Sequence, residues 1–345
     1  MSKESVVVTG ASGYLGSWIV REFLAEGWEV LGSVRNSGDR EKIGHLYELA
    51  NRLPGSLELF EADLLQEGAF DDACARASVV VHAASPFLID AVEDPAGRLL
   101  EPAVEGTRNV LSAATRSESV KRVVLTSSVV AIHGDAIEVE KTEEGYLDEG
   151  HWNTTSSLGY QPYNYAKTEA ERAAWELSQG APWRLVVLNP GLILGPSLSS
   201  RSDASSTQLF LRLIGGEFAS GAPALALGVV DVRDVARAHY EGAVRETAEG
   251  RNILVATHAT FLEIAQIVDR LYPGVHPVPK REVPKLLLYL FGPRSGLSWR
   301  YIRRNAGHPV RYDNRKGKET LGLFYRPLEE TVRDQRLKLL EDGVL

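Results

Sequence analysis

Along the first 190 residues, short unbroken apolar runs alternate with longer segments whose apolar positions recur every three or four residues. The runs SVVVTG (5–10), WEVLGSV (28–34), LELFEADL (57–64), SVVVHAAS (78–85), VKRVVLTSSVV (120–130) and WRLVVLNPG (183–191) are rich in valine and leucine. Runs of that kind predict strands buried on both faces of a sheet. Between them, GSWIVREFLAEG (16–27), the stretch 94–118 and PYNYAKTEAERAAW (162–175) predict helices, the last with Pro162 in its first turn, where a missing N–H costs nothing. Strands separated by helices predict an α/β fold with a doubly wound parallel sheet covered on both sides.

Beyond Gly191 the texture changes. Positions 197–206, SLSSRSDASS, hold six serines in ten residues and read as a flexible loop. GVVDVRDVARAHYEGAV (228–244) returns to strand followed by helix, and RNILVAT (251–257) is another apolar strand. The stretches 260–273 and 327–343 have the spacing of amphipathic helices, and no internal repeat is visible. The simplest partition puts 1–190 and 228–257 in a dinucleotide-type domain. A smaller α/β substrate-binding portion then takes 191–227 and 258–345.

Composition narrows the function classes. The 345 residues carry a net charge of -8, which gives no basic footprint for nucleic acid. Cys74 is the single cysteine, so an intramolecular disulfide and a cysteine-based metal cluster are excluded. The remaining histidines show no metal-ligand spacing, and no metal is expected. The apolar stretch LLLYLF (286–291) is far too short to span a bilayer. The expectation is a cytoplasmic protein with no nucleic-acid or membrane partner.

TGASGYLG (9–16) lies between the first strand and the first helix and spaces Gly10, Gly13 and Gly16 three apart. Glycine permits the tight turn and lets backbone approach a pyrophosphate, whose charge meets the helix N-terminus. Ser12, Tyr14 and Leu15 belong to the same turn. The second strand ends on Ser33 and Val34, where an acidic residue would select NAD, and Arg35 follows. A guanidinium there suits a 2′-phosphate, with a solvated surface arginine as the alternative. Lys42, in the following loop, is a second phosphate candidate. Asp63 either meets the adenine edge or caps a helix.

In the helix after Pro162, Tyr163 and Lys167 are i and i+4 and share a face. Tyr165 points elsewhere, and Tyr160 precedes the proline. TSS (126–128) closes the fifth strand, whose C-terminal end opens on the same crevice as the glycine turn. A serine there is placed to hydrogen-bond a substrate oxygen.

Together the glycine spacing, TSS and Y-x-x-x-K, in this order at these strand ends, resemble the extended short-chain dehydrogenase/reductases. HAASPF (82–87), GTRNVL (106–111), RVVLTSS (122–128), LNPGLILGP (188–196) and VDVRDVARAH (230–239) look like the dihydroflavonol reductase-like branch, which includes carbonyl and aldehyde reductases. The resemblance covers nearly the whole chain and is strongest up to about residue 257. It implies a Rossmann fold binding NADPH/NADP, with Tyr163 as general acid, Lys167 supplying a positive charge beside it and binding the nicotinamide ribose, and a serine polarising the carbonyl. Ser128 fits the family pattern; strand alternation sends Ser127 to the opposite face, unless a bulge reverses the choice. The cofactor contacts assigned on this basis add Leu64, Ala83, Ala84, Ser85, Pro190 and Gly191. Phe87, Leu88 and Leu192 are candidate pocket walls. His133 is either a pocket contact or a surface histidine. Plant dihydroflavonol reductases typically carry Asn at its position, so the departure counts against a flavonoid diol.

The activity implied is hydride transfer to the carbonyl of a small-molecule aldehyde or ketone, by a monomer or dimer. Two alternatives stay open: an extended-type epimerase or dehydratase that holds NAD, and a dinucleotide-sensing protein without turnover.

Overall fold

The valine-rich runs become strands whose alternate residues face opposite layers. The computed structural model of the chain describes residues 4–84 and 93–345. Strands β1 (Ser5–Thr9), β2 (Glu29–Val34), β3 (Ser56–Glu61), β4 (Val79–His82), β5 (Arg122–Thr126) and β6 (Arg184–Pro190) form one sheet with a later strand, β9 (Gly250–Leu254). The order is β3-β2-β1-β4-β5-β6-β9, and every neighbouring pair is parallel. Val6 and Val8 face one apolar core and Val7 the other, so both faces of β1, near the middle of the sheet, are covered.

Helix α1 (Tyr14–Ala25) covers the first core, and α2 (Arg40–Arg52) lies beside it. Helices α3 (Asp71–Arg76), α4 (Glu101–Arg116) and α5 (Pro162–Ser178) cover the other side. The chain runs outward from β1 to β3, then returns to β4 on the other side of β1. That reversal opens a crevice beyond the C-terminal ends of β1 and β4, where ligands of such sheets bind.

Several features differ from the sequence expectation. The helix expected over 94–118 opens with a π turn, Ala96–Leu100, before α4 begins, because Pro102 has no N–H to continue an α ladder backward. Helix α2 is unanticipated: it buries only Ile43 and Leu46, too narrow a stripe to stand out in the sequence. β5 stops at Thr126, so Ser127 and Ser128 lie just past the strand, ahead of a 3₁₀ turn at Val129–Ala131. The serine-rich stretch is helical from Ser205, where α6 (Ser205–Ile214) starts.

A second, three-stranded sheet is made of β7 (Leu192–Leu194), β8 (Ala226–Asp231) and β10 (Thr257–Thr260), in the order β10-β8-β7. β8 therefore leaves the large sheet, although 228–257 was assigned to the large domain. Its place beside β6 is taken by β9, whose residues 250–254 pair with 186–190. Helix α7 (Val232–Val244) does return to the large sheet and packs on α1. Helices α8 (Phe261–Leu271), α9 (Lys285–Phe291), α10 (Trp299–Asn305), α11 (Arg315–Leu321) and α12 (Leu328–Glu341) complete the chain. α6, α8 and α12 supply the core of the second sheet. Among the described residues no helix is long and apolar enough to cross a membrane.

Candidate active site

The glycine turn is shaped by two contacts that only glycine tolerates. Gly10 has φ +68°, and a Cβ there would lie 3.1 Å from Ala84 at the end of β4. A Cβ on Gly16 would sit 2.1 Å from the Gly10 carbonyl oxygen, so α1 starts directly against the turn. Gly13 caps α1 without a side-chain bond, and the first turn carries no acidic residue. Its N–H groups are thus left for an anion. Ser33 Oγ accepts from Gly10 N at 3.2 Å, which gives the uncharged end of β2 a holding role. Tyr14 leaves the turn and donates to the Gly195 carbonyl at 2.8 Å; Ser12 and Leu15 are half-buried.

Thr9 ties β1 to β4. Its hydroxyl oxygen accepts from the N–H groups of Ala83 and Ala84 at 3.1 and 3.0 Å and lies 2.9 Å from His82 Nδ1. His82 Nε2 is 3.3 Å from Thr107 Oγ1 of α4. Burial, reinforced by the Lys167 charge, pushes His82 down to about 3, so its ring is neutral. His82, Thr107, Thr126, Ser127, Lys167 and Glu171 line one small recess between the sheet and α4–α5.

Helix α5 brings its stripe of Tyr163, Lys167 and Glu171 to this recess side. Lys167 is 8% exposed, and its Nζ donates to the Thr126 carbonyl oxygen at 3.0 Å. Burial lowers the amine to about 8, and Glu171 acts against that fall. Tyr163 packs against Leu99, Ala103, Ala166 and Ala170, and burial pushes its phenol well up from the usual tyrosine value. Tyr165 is half-buried on the same helix.

The two serines diverge. Ser127 Oγ donates to Glu171 Oε2 at 2.5 Å at the floor of the recess. Ser128 Oγ lies 3.3 Å from the Pro190 carbonyl oxygen and accepts from Val130 N at 3.3 Å, capping the 3₁₀ turn. Glu171 forms a fully buried ion pair with Arg251, Nε to Oε1 at 2.6 Å, and Asn189 Nδ2 donates to Oε2 at 2.9 Å. Losing one partner of such a pair costs about 3–5 kcal/mol. Sequence reading passed over His82, Asn189, Glu171 and Arg251. The one local signal was Glu171 itself, four residues after Lys167 on the same face.

Elsewhere the positions vary. Arg35 is exposed just past β2, where Ser37 donates its N–H and hydroxyl to Glu61, both at 2.8 Å, and shapes the loop. Lys42 stands on the first turn of α2 rather than in a loop, and its Nζ is 2.8 Å from Asp39, the residue that caps that helix. Asp63 accepts from Leu65 N at 2.8 Å in a turn, and Leu64 accepts Asn109 Nδ2 at 2.8 Å through its carbonyl. Gly191 packs against β8, where a Cβ would meet the Gly228 carbonyl oxygen at 2.2 Å. Leu192 is half-buried and packs against the core of the second sheet. His133 is not a surface histidine: it is buried, with Nε2 2.6 Å from the Tyr312 hydroxyl. Ser85, Phe87 and Leu88 lie outside the described residues. Among the described residues no cluster of His, Cys, Asp and Glu could hold a metal. A wider, shallow hollow of about 770 Å³ lies between β10 and residues 309–315, and none of Ser128, Tyr163 and Lys167 lines it.

The chain is 36% identical to cinnamoyl-CoA reductase CAD2 of Medicago truncatula over 95% of its length and 93% of the relative's. It is 35% identical to tetraketide alpha-pyrone reductase 1 of Arabidopsis thaliana, covering 100% of this chain and 98% of that one. In structure it is similar to yeast methylglyoxal/isovaleraldehyde reductase Gre2 complexed with NADPH, with a TM-score of 0.76, 29% identity and 99% of each chain covered. The model of the NAD dependent epimerase/dehydratase family matches residues 6–256, from the glycine turn through α5 to the last strand of the large sheet. With that span and those relatives, the chain belongs to the NAD dependent epimerase/dehydratase family.

Proposed function

We propose that the protein is an NADPH-dependent reductase that converts the carbonyl of an aldehyde or ketone to an alcohol. The observation that carries this reading is the placement of Tyr163 and Lys167 one turn apart on α5, with Lys167 Nζ on the Thr126 carbonyl two residues before Ser128. The names of the relatives, which are reductases, and the NADPH bound to Gre2 support it.

The residues present fit a dinucleotide. Gly10 and Gly13 leave backbone room beside the open N-terminus of α1, and Ala83 and Ala84 close the crevice from β4. Arg35, exposed at the end of β2, is the group proposed to read a 2′-phosphate. When bound, the nicotinamide supplies the hydride.

The chain's own part is the proton and the oxygen. Burial keeps the Tyr163 phenol protonated near neutral pH, as a general acid requires. The Lys167 ammonium stabilises the phenolate left when that proton goes to the carbonyl oxygen. Ser128 donates to the same oxygen as charge builds there. Its present contacts, both 3.3 Å long, are weak and readily exchanged.

The test is NADPH absorbance at 340 nm with a panel of aldehydes, diketones and aryl ketones. Stoichiometric NADPH loss with alcohol formation is expected. Product formed without net cofactor change would establish instead an epimerase or dehydratase that holds its dinucleotide, and binding without loss a sensor.

A further inference from the structure

We propose that Glu171, held by Arg251, is a positioning residue of the reaction: it locks the Ser128 turn to the Lys167 helix, and its negative charge supports the Lys167 ammonium. The proposal rests on the reductase reading for its kinetic consequence, though not for its structural basis.

The spacing is the first ground. Tyr163, Lys167 and Glu171 fall at i, i+4 and i+8 on α5; Lys167 meets β5 through the Thr126 carbonyl and Glu171 meets β6 through Asn189. A buried carboxylate in this stripe needs partners, and five donor contacts reach it. Arg251 Nε and Trp175 Nε1 donate to Oε1 at 2.6 and 3.2 Å; Ser127 Oγ, Asn189 Nδ2 and Arg251 Nη2 donate to Oε2 at 2.5, 2.9 and 3.5 Å. The donors come from the end of β5, from β6, from β9 and from α5 itself. One carboxylate thus joins the catalytic helix to three strands of the large sheet.

The second ground is what these donors touch next. Asn189 Nδ2 also donates to the Ser128 carbonyl at 3.1 Å. Arg251 Nη2 donates to the Ala131 carbonyl at 3.2 Å, and Nη1 to those of Glu149, at 3.0 Å, and His151. Its guanidinium lies 3.9 Å from the centre of the Trp152 ring. The clamp therefore fixes the backbone on both sides of the Ser128 turn. Moving Glu171 would shift Ser128 and Lys167 relative to each other, and reacting groups tolerate little misplacement.

The third ground is charge. Of the groups that face Lys167, His82 from β4 is neutral, pushed by burial down to about 3, and Thr126 from β5 offers a carbonyl dipole. His239 from α7, behind Thr126, is neutral as well, at about 4. Tyr163 on α5 is a protonated phenol. Among the described residues lining the recess, Glu171 is the sole carboxylate; the Arg251 guanidinium of β9 pairs with its far side and is not part of that lining. It opposes the burial that lowers Lys167 to about 8.

The experiment compares wild type with Glu171→Gln. The Lys167 titration is followed by NMR of protein carrying ¹³C-labelled lysine, with Lys167→Arg identifying the resonance. The pH profile of carbonyl reduction is measured alongside. The Lys167 midpoint should fall by about one pH unit in the variant, the lower end expected for one nearby opposite charge. The alkaline limb of kcat should move down with it while KM for NADPH stays put. Because Glu171→Gln leaves Arg251 buried and unpaired, Glu171→Gln/Arg251→Met serves where the single variant does not fold, with a smaller fall of the midpoint expected because a cation leaves with the anion. Ser127→Ala, which keeps the charge but removes one clamp, should lower kcat without moving the midpoint.

An unmoved Lys167 midpoint in a folded variant overturns the proposal. So does failure of both carboxylate-free variants to fold, since the pair would then serve the fold rather than the lysine. A wild type whose Lys167 responds as described but which reduces no carbonyl would sink the reductase reading alone, because the NMR titration is independent of turnover.

Discussion

Lys167 and His239 meet at one residue: the Thr126 carbonyl accepts from Lys167 Nζ at 3.0 Å, and the Thr126 hydroxyl lies 2.7 Å from His239 Nε2. His239 Nδ1 is 2.8 Å from the Val235 carbonyl, so Nδ1 carries the proton and Nε2 accepts from the threonine. A neutral histidine on α7 thereby orients the last residue of β5, and with it the oxygen on which Lys167 rests.

That arrangement makes stability sensitive to acid. Burial holds His82 at about 3 and His239 at about 4, both below the ~6.5 of an exposed histidine. Between those values the unfolded chain binds more protons than the folded one, so stability rises with pH. The contribution is complete above about pH 6.5, and it is lost as pH falls through the folded values. Each histidine should cost on the order of 1.4 kcal/mol per pH unit in this window. Urea unfolding at pH 7, 6 and 5 should show the decline, and His239→Gln should make it shallower. A flat profile from pH 7 to 5 would contradict the neutral-histidine picture.

For the tyrosines, Tyr163→Phe should lower kcat by about 10²–10⁴-fold, the range for loss of a general acid, while NADPH binding survives. Tyr165→Phe should stay within a few-fold of wild type. Steady-state kinetics with the best carbonyl substrate decides between them, and exchanged outcomes would refute the helical-face assignment.

The serines should separate by phenotype. Ser128→Ala removes a donor to the developing oxyanion and should lower kcat by roughly 10²–10³-fold. Ser127→Ala removes a bond to the buried Glu171 carboxylate and should cost about 1.5–3 kcal/mol of stability, as bonds to charged groups do, with the smaller effect on kcat. Equal, mild kinetic losses would show that neither hydroxyl meets the reacting oxygen.

Cofactor choice should follow Arg35. A charge-assisted bond to a 2′-phosphate is worth about 1.5–3 kcal/mol, or about 10- to 150-fold in affinity. Arg35→Ala should raise KM for NADPH by that factor and leave KM for NADH nearly unchanged. Lys42 already pairs with Asp39 at 2.8 Å, so Lys42→Ala should add less. Wild type preferring NADH, or a double variant keeping its NADPH preference, would remove the role from Arg35.

What the sequence by itself determined is what repeats locally. The valine runs specify strands buried on both faces, the glycine spacing specifies a turn into a helix, and a four-residue interval puts Tyr163 and Lys167 on one face. These depend on backbone geometry within a few residues. The tertiary structure decided the partners. Glu171 and Arg251 stand 80 residues apart, and His133 and Tyr312 179 apart, and each side chain alone resembles any other charged or polar residue on its element. Likewise, the apolar pattern of β8 suits either sheet; β9 occupying the edge beside β6 sends it to the smaller one. Periodicity encodes which face of an element is buried, but the group waiting on the other side is set by how distant segments pack, and no interval along the chain records it.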